Sequence, residues 1–183
     1  MGYFAVIDTE TNWADQVMSI GTVIADSNTF QIIAVKYHVL PAECEVGGMY
    51  ESTLFLDIPF SPILCTRQEA ITDLKAWFAE YGIAKIFAYN ACFDRNHLPE
   101  LGSYPWFDIM RLAAYRQFNP CIPACADCYS TGRLKRGYGV EPILRLLSGK
   151  QRYQETHNAV LDALDELSIM RLLGIPLSEY IPL

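Results

Sequence analysis

The residues able to do chemistry in this chain fall into three short segments. Asp8 and Glu10 flank Thr9 at the end of the apolar run Tyr3-Phe4-Ala5-Val6-Ile7. Two positions apart on a strand, they project to one face. Carboxylates leaving a buried strand are expensive unless something cationic meets them, and a pair of this kind also suits an exposed strand end. Asp94 closes Tyr89-Asn90-Ala91-Cys92-Phe93-Asp94, where a lone Asp would ordinarily cap a helix. His157 and Asp162 are five apart, about 140° around a continuous helix, so they share a face only if the histidine sits at the helix entrance. By itself that third segment suits an exposed histidine and a solvated face carrying Asp165 and Glu166.

The elements that must position these groups follow from the pattern. Residues 3–9 read as a buried strand. Residues 17–25 and 30–40 read as two more, joined at the turn Asp26-Ser27-Asn28 into a hairpin. Residues 41–62, with Gly47-Gly48 and no period, read as a long irregular connection able to cross the site. Residues 66–81 form a helix, capped by Thr66 with Glu69 and stopped by Gly82. Residues 84–89 are a central strand, 91–101 a short helix, 106–107 a brief strand and 108–118 a helix. A Cys-, Pro- and Gly-rich loop spans 119–138. Helices at 139–147, with Pro142 in the first turn, and 158–173 complete the chain. The order β-β-β-α-β-α-β-α-α predicts a mixed sheet with helices on both faces.

Taken together and in this order, the three motifs resemble the DEDDh 3′-5′ exonucleases, the DnaQ-like branch of the ribonuclease H-like superfamily. The resemblance spans residues 3–173. It implies an α/β, ribonuclease H-like fold with a five-stranded mixed sheet flanked by helices. It also implies Asp8, Glu10, Asp94 and Asp162 as ligands of two divalent cations, with His157 as general base. Four carboxylates near 5 Å apart repel by about 3 kcal/mol per pair at an effective dielectric of 20. Two divalent cations would remove that cost and clamp the attacking and leaving oxygens of a phosphodiester. All-oxygen ligation favours Mg²⁺ or Mn²⁺ over zinc.

The implied activity is hydrolysis from a free 3′ end of single-stranded DNA or RNA, releasing nucleoside 5′-monophosphates. Alternatives of the same fold are a proofreading or accessory module of a polymerase or repair complex, and a non-catalytic nucleic-acid-binding domain. Asp108 reads as support for a helix start. The chain departs from the family's usual pattern at Thr11-Asn12-Trp13 and at Ser19, which bears on substrate preference rather than on the chemistry, and it has Tyr89 where family members often carry His. Thr9, Thr11, Asn12, Trp13, Asn90 and Phe93 are expected near the terminal nucleotide. Trp13 and Phe93 are base-stacking candidates, although Phe93 better suits core packing. Arg133, Lys135 and Arg136, the densest basic cluster, are expected to contact phosphates.

Composition sets the frame. A chain of 183 residues, 51% hydrophobic and 13% aromatic, suits one domain with a sizeable core. Its net charge of −7 argues against a protein that coats nucleic acid by electrostatics alone. No apolar run is long enough for a membrane span, and the first residues lack a basic signal segment, so a cytoplasmic location is expected. Among six cysteines, Cys121, Cys125 and Cys128 cluster. Zinc there would need a fourth ligand that the neighbouring sequence does not offer, so reduced thiols are expected.

Overall fold

The computed structural model describes residues 2–183. Strands β1 (Tyr3–Thr11), β2 (Val17–Asp26), β3 (Ile32–Val39), β4 (Ile63–Leu64), β5 (Ile86–Ala88) and β6 (Trp106–Asp108) form one sheet in the order β4-β3-β2-β1-β5-β6. The first three pair antiparallel, while β5 is parallel to β1, β6 to β5 and β4 to β3. The sheet therefore has six strands rather than the five expected. The extra one, β4, is two exposed residues long, too short to show an alternating pattern, and its place comes wholly from pairing with β3.

Helices cover both faces. Phe4 and Val6 of β1 pack with Ala163, Leu167 and Met170 of α6 (Ala159–Leu173) and with α5 (Val140–Ser148). Ala5 and Ile7 pack against Ala70, Leu74 and Phe78 of α2 (Arg67–Tyr81). Burial on both sides explains why β1 reads as an unbroken apolar run. It also fixes where the acids go. Asp8 and Glu10 continue the parity of Phe4 and Val6, so they emerge on the face that α6 covers.

Local rules set most boundaries. Thr66 and Glu69 form the expected capping box at α2, and Gly82 ends that helix in the left-handed conformation at φ 63°. The helix expected over 91–101 divides into α3 (Cys92–His97) and a 3₁₀ turn at Pro99–Leu101, because Pro99 has no N–H to continue the ladder. The helix expected over 108–118 shrinks to α4 (Met110–Ala113). Its carbonyls are spent elsewhere: the Asn119 amide donates to Ala113 O at 2.6 Å, and Leu134 N–H donates to Ala114 O at 2.9 Å. The 41–62 connection holds a short helix α1 (Pro41–Cys44) and a 3₁₀ turn, Glu51–Thr53.

One glycine brings α6 to the sheet. A Cβ on Gly21 of β2 would lie 2.1 Å from the backbone of Ala159, at the start of α6. Gly21 also pairs with Asp8 in the β1–β2 register, so this close approach sets the third motif beside the first. Gly21→Ala should force the helix off the sheet. The expected cost is about 1–3 kcal/mol or more, read as a lowered denaturant midpoint together with weakened cation binding. A variant with wild-type stability would show that α6 is not held at this crossing.

Candidate active site at the ends of the central strands

The three motifs converge. Asp8 and Glu10 come from the end of β1, Asp94 from α3 just past β5, and His157 and Asp162 from the start of α6. A cavity of about 370 Å³ opens there, and Asp8, Glu10, His157 and Asp162 line it. Oxygens of Glu10 and Asp162 and a ring nitrogen of His157 lie within 4.8 Å of one another. Asp94 is set deeper, only 2% exposed, and its Oδ1 accepts a 2.8 Å hydrogen bond from Thr9 Oγ1. Thr9 therefore orients Asp94.

His157 is placed by its own backbone and two neighbours. It adopts φ 56°, in the left-handed region, immediately before the cap of α6. Asn158 caps that helix by accepting from Leu161 N–H, and its amide donates to Tyr37 Oη and to Thr53 O. The Thr53 hydroxyl donates to the His157 carbonyl. The Tyr50 ring stacks on the imidazole, with centroids 4.0 Å apart and planes 16° apart. The irregular connection thus crosses the site as expected and grips the histidine.

The acids lie close together and out of water, so each resists ionisation in the cation-free protein. Burial pushes Glu10 up to about 8, and repulsion from Glu155 and then Asp94 adds to it. Burial, followed by Glu155 and Glu10, pushes Asp162 up to about 9. Burial holds Asp94 near 7 against the opposing hydrogen bond from Thr9. Asp8 is raised well above the carboxylate range by burial and by Asp94, Glu166, Asp162 and Glu10. Burial lowers His157, so its imidazole is neutral and able to take a proton at neutral pH. Asp8 Oδ2 and Asp162 Oδ1 are buried with no hydrogen-bond partner. None of the ion pairs among the described residues reaches Asp8, Glu10, Asp94 or Asp162. Orphaned, mutually repelling carboxylate oxygens with no basic side chain to balance them are the donor set a hard divalent cation takes.

These shifts fix a sign for the effect of pH on stability. The folded chain holds protons that the unfolded chain releases above about pH 4, and stability falls wherever the native state binds more protons. Protein stripped of divalent cations should therefore lose melting temperature as pH rises from 5 through the values of Asp94, Glu10 and Asp162. Mg²⁺ should flatten that decline. Calorimetry at pH 5.5 and 8.5 with and without Mg²⁺ reads both, and a profile that rises with pH would contradict the assignment.

The expected substrate contacts divide. Thr11, Trp13 and Phe93 line the cavity together with Met49 and Tyr50. Trp13 is 67% exposed, and Phe93 is 39% exposed and leans on His97 rather than packing in the core, contrary to expectation. The reason is that α3 turns Asp94 inward, so Phe93, one residue earlier, faces out. Asn12 borders the cavity but spends its side chain on the turn, accepting from Ala14 and Gln16 N–H and donating to Glu43 O. Asn90 lies outside the lining, at φ 61°, and its N–H donates to Asp108 Oδ1. Asp108 also accepts from Met110 N–H, the supporting role expected of it.

The basic cluster does not line the cavity either. Arg133 lies over Tyr129 and Tyr138 and Lys135 pairs with Asp127, while Arg136 is exposed and outside the described ion pairs. The Tyr89 hydroxyl donates to Tyr138 O, tying this loop to the end of β5. Cys121, Cys125 and Cys128 are free thiols and form no metal-binding group among the described residues.

Sequence reasoning missed Met49, Tyr50, Glu155 and Glu166. Only Glu166 left a usable signal: it stands four residues after Asp162, the spacing that shares a helix face. The solvated face that the third segment suits by itself is not what forms, because Glu166 is 1% exposed.

No protein-family model matches the chain, and no curated protein sequence does. Solved structures do. A 3′-exonuclease in a structure of 3′-end-specific recognition of the histone mRNA stem-loop matches with a TM-score of 0.63 and 12% identity, over 99% of this chain and 70% of its own. The nuclease domain of 3′hExo, a DEDDh family member bound to rAMP, matches at 0.59 and 12%, over 99% of this chain and 96% of its own. E. coli ExoI in a zinc-bound complex with single-stranded DNA matches at 0.58 and 13%, over 98% of this chain but only 42% of its own. The chain therefore shares its fold with these 3′-exonucleases. No helix among the described residues is long and apolar enough to cross a membrane.

Proposed function

We propose that this protein is a two-cation 3′-5′ exonuclease of the DEDDh type acting on single-stranded DNA or RNA. The observation that carries the reading is one cavity lined by Asp8, Glu10, Asp162 and His157, with Asp94 buried behind it on Thr9, and no ion pair among the described residues reaching any of the four acids. Asp8, Glu10, Asp94 and Asp162 would hold two Mg²⁺ or Mn²⁺ ions, which when bound offset the acids' repulsion and stabilise charge on the attacked phosphodiester. Thr9 orients Asp94. His157, stacked on Tyr50 and neutral at neutral pH, accepts the proton of the attacking water at its ring nitrogen. Trp13 and Phe93 offer exposed faces on which terminal bases stack. The neighbours crystallised with oligonucleotides support single-stranded nucleic acid as the ligand class.

Mn²⁺ and 5′-labelled DNA and RNA oligomers test this directly. A ladder shortening from the 3′ end, with 5′-monophosphates released, is expected. Internal cuts, or no products in Mn²⁺ or Mg²⁺, would overturn it. Replacing Arg133, Lys135 and Arg136 together by Ser should raise KM for oligomers and flatten its salt dependence while sparing a small chromogenic phosphodiester. Equal losses on both substrates would place the cluster in support of the fold.

A further inference from the structure

A second cavity, at the exit of β6, plays no part in the four-carboxylate scheme. It measures about 230 Å³, and Asp108, Arg111, Leu112, Tyr115, Phe118 and Ile181 are among the residues that line it. Its walls are largely apolar, and two of them are aromatic. Phe118 is 44% exposed and Ile181 63%, so both present apolar faces to water. The two charged groups differ. Asp108 is buried, and its Oδ1 is spent on the N–H groups of Asn90 and Met110. Arg111 is exposed and belongs to none of the ion pairs among the described residues. A guanidinium without a carboxylate partner, next to open aromatic faces, suits a phosphate that carries a flat base.

The neighbours of this cavity say how such a group would arrive. On one side, two hydrogen bonds connect it to the candidate active site. Phe93, which lines the acidic cavity, donates its N–H to Asn90 O at 2.8 Å, and Asn90 donates its own to Asp108 Oδ1 at 3.0 Å. On the other side stands the basic loop. Tyr115 forms a β-bridge with Arg133, and Arg116 N–H donates to Gly132 O at 3.0 Å. The second cavity thus adjoins the acidic cavity through Asp108 and the loop of Arg133, Lys135 and Arg136 through Tyr115.

We propose that this cavity is an upstream nucleotide subsite, which receives an unpaired base of the substrate strand against Phe118 and Tyr115 and its phosphate at Arg111. The inference rests on the reading of the protein as a single-strand exonuclease and deepens it. A strand with its 3′ end among the acids reaches this cavity on its way to the basic loop. The subsite favours single strands, because a paired base would first have to leave its stack. It also makes affinity depend on length, since oligomers too short to reach it lose its contribution.

Five-prime-labelled oligonucleotides with one abasic residue, moved stepwise from the 3′ end, test it on the wild type, Phe118→Ser and Arg111→Gln. Fluorescence anisotropy reads affinity with and without Mn²⁺, and gels read cleavage. In the wild type, one upstream position should lose about 5–150-fold in affinity when its base is missing, the usual worth of a base–aromatic stack. Phe118→Ser should bind intact oligomers more weakly by a similar factor and lose nothing further at that position. Arg111→Gln should lower the slope of log affinity against log salt by about 0.7, one phosphate contact on a single strand. Melting temperature checks that each variant is folded, and Arg111→Gln, a change at an exposed side chain, stands as the test if Phe118→Ser is not. A wild-type abasic profile in folded Phe118→Ser, or an unchanged salt slope in Arg111→Gln, would overturn the subsite. Cleavage from the 3′ end in that case would leave the exonuclease reading standing. A wild type that shows the expected profile but cuts no oligomer would overturn the exonuclease reading and keep the subsite. A wild type that binds no oligomer, with or without Mn²⁺, would overturn both.

Discussion

Asp162→Asn should abolish cation-dependent hydrolysis and at the same time raise the melting temperature of the cation-free protein. Asp162 lies in the close group with Glu10 and His157, and burial together with Glu155 and Glu10 pushes it up to about 9. The residue costs stability, and on the proposed reading a bound cation would offset that cost. Asn keeps the shape and removes the charge, so the apo protein should gain on the order of 1 kcal/mol. Losing a direct ligand removes several kcal/mol of transition-state stabilisation, a fall of about 10³-fold or more. Asp8→Ala should lose activity to the same degree. Opposite signs for activity and stability separate a site residue from a fold residue, which loses both. Wild-type turnover by either variant at equal purity would remove it from the cation centre.

His157→Ala should lower kcat by about 10²–10⁴-fold, the usual contribution of a placed general base, while Mn²⁺ binding survives. Burial holds the imidazole below the ordinary histidine value. The acid limb of the wild-type rate profile should therefore fall below about pH 6.5, and it should vanish in the variant. Tyr50→Leu gives a finer reading of the same arrangement. Loss of the 4.0 Å stack frees the ring to leave its position over the cavity, so kcat should fall with the cation affinity unchanged. Unaltered turnover in His157→Ala would reassign the histidine to holding the start of α6.

Some of this was written in the chain by itself. The apolar run of β1 ending in Asp8-Thr9-Glu10 declared a strand buried on both faces and two acids at its exit. The order of the three motifs carried a family resemblance, and that resemblance implied the fold. Local chemistry, Thr66 with Glu69 and Gly82, placed the long helix. The strand and the helix rest on residues a few positions apart, whereas the fold came from the resemblance that the ordered motifs carry.

What only the tertiary structure decided rests on contacts between distant segments. The two residues of β4 are a strand because β3 lies beside them. The helix after β6 stops early because Asn119 and Leu134 take its carbonyls. Tyr50 meets His157 across 107 positions of sequence, a stack that no periodicity encodes. Phe93 faces the cavity because Asp94 must face inward. Above all, the spacing of Asp162 and Glu166 put both on one face of α6 but could not say which face. The crossing at Gly21 turned that face toward the sheet, and so made Glu166 a buried acid rather than a solvated one.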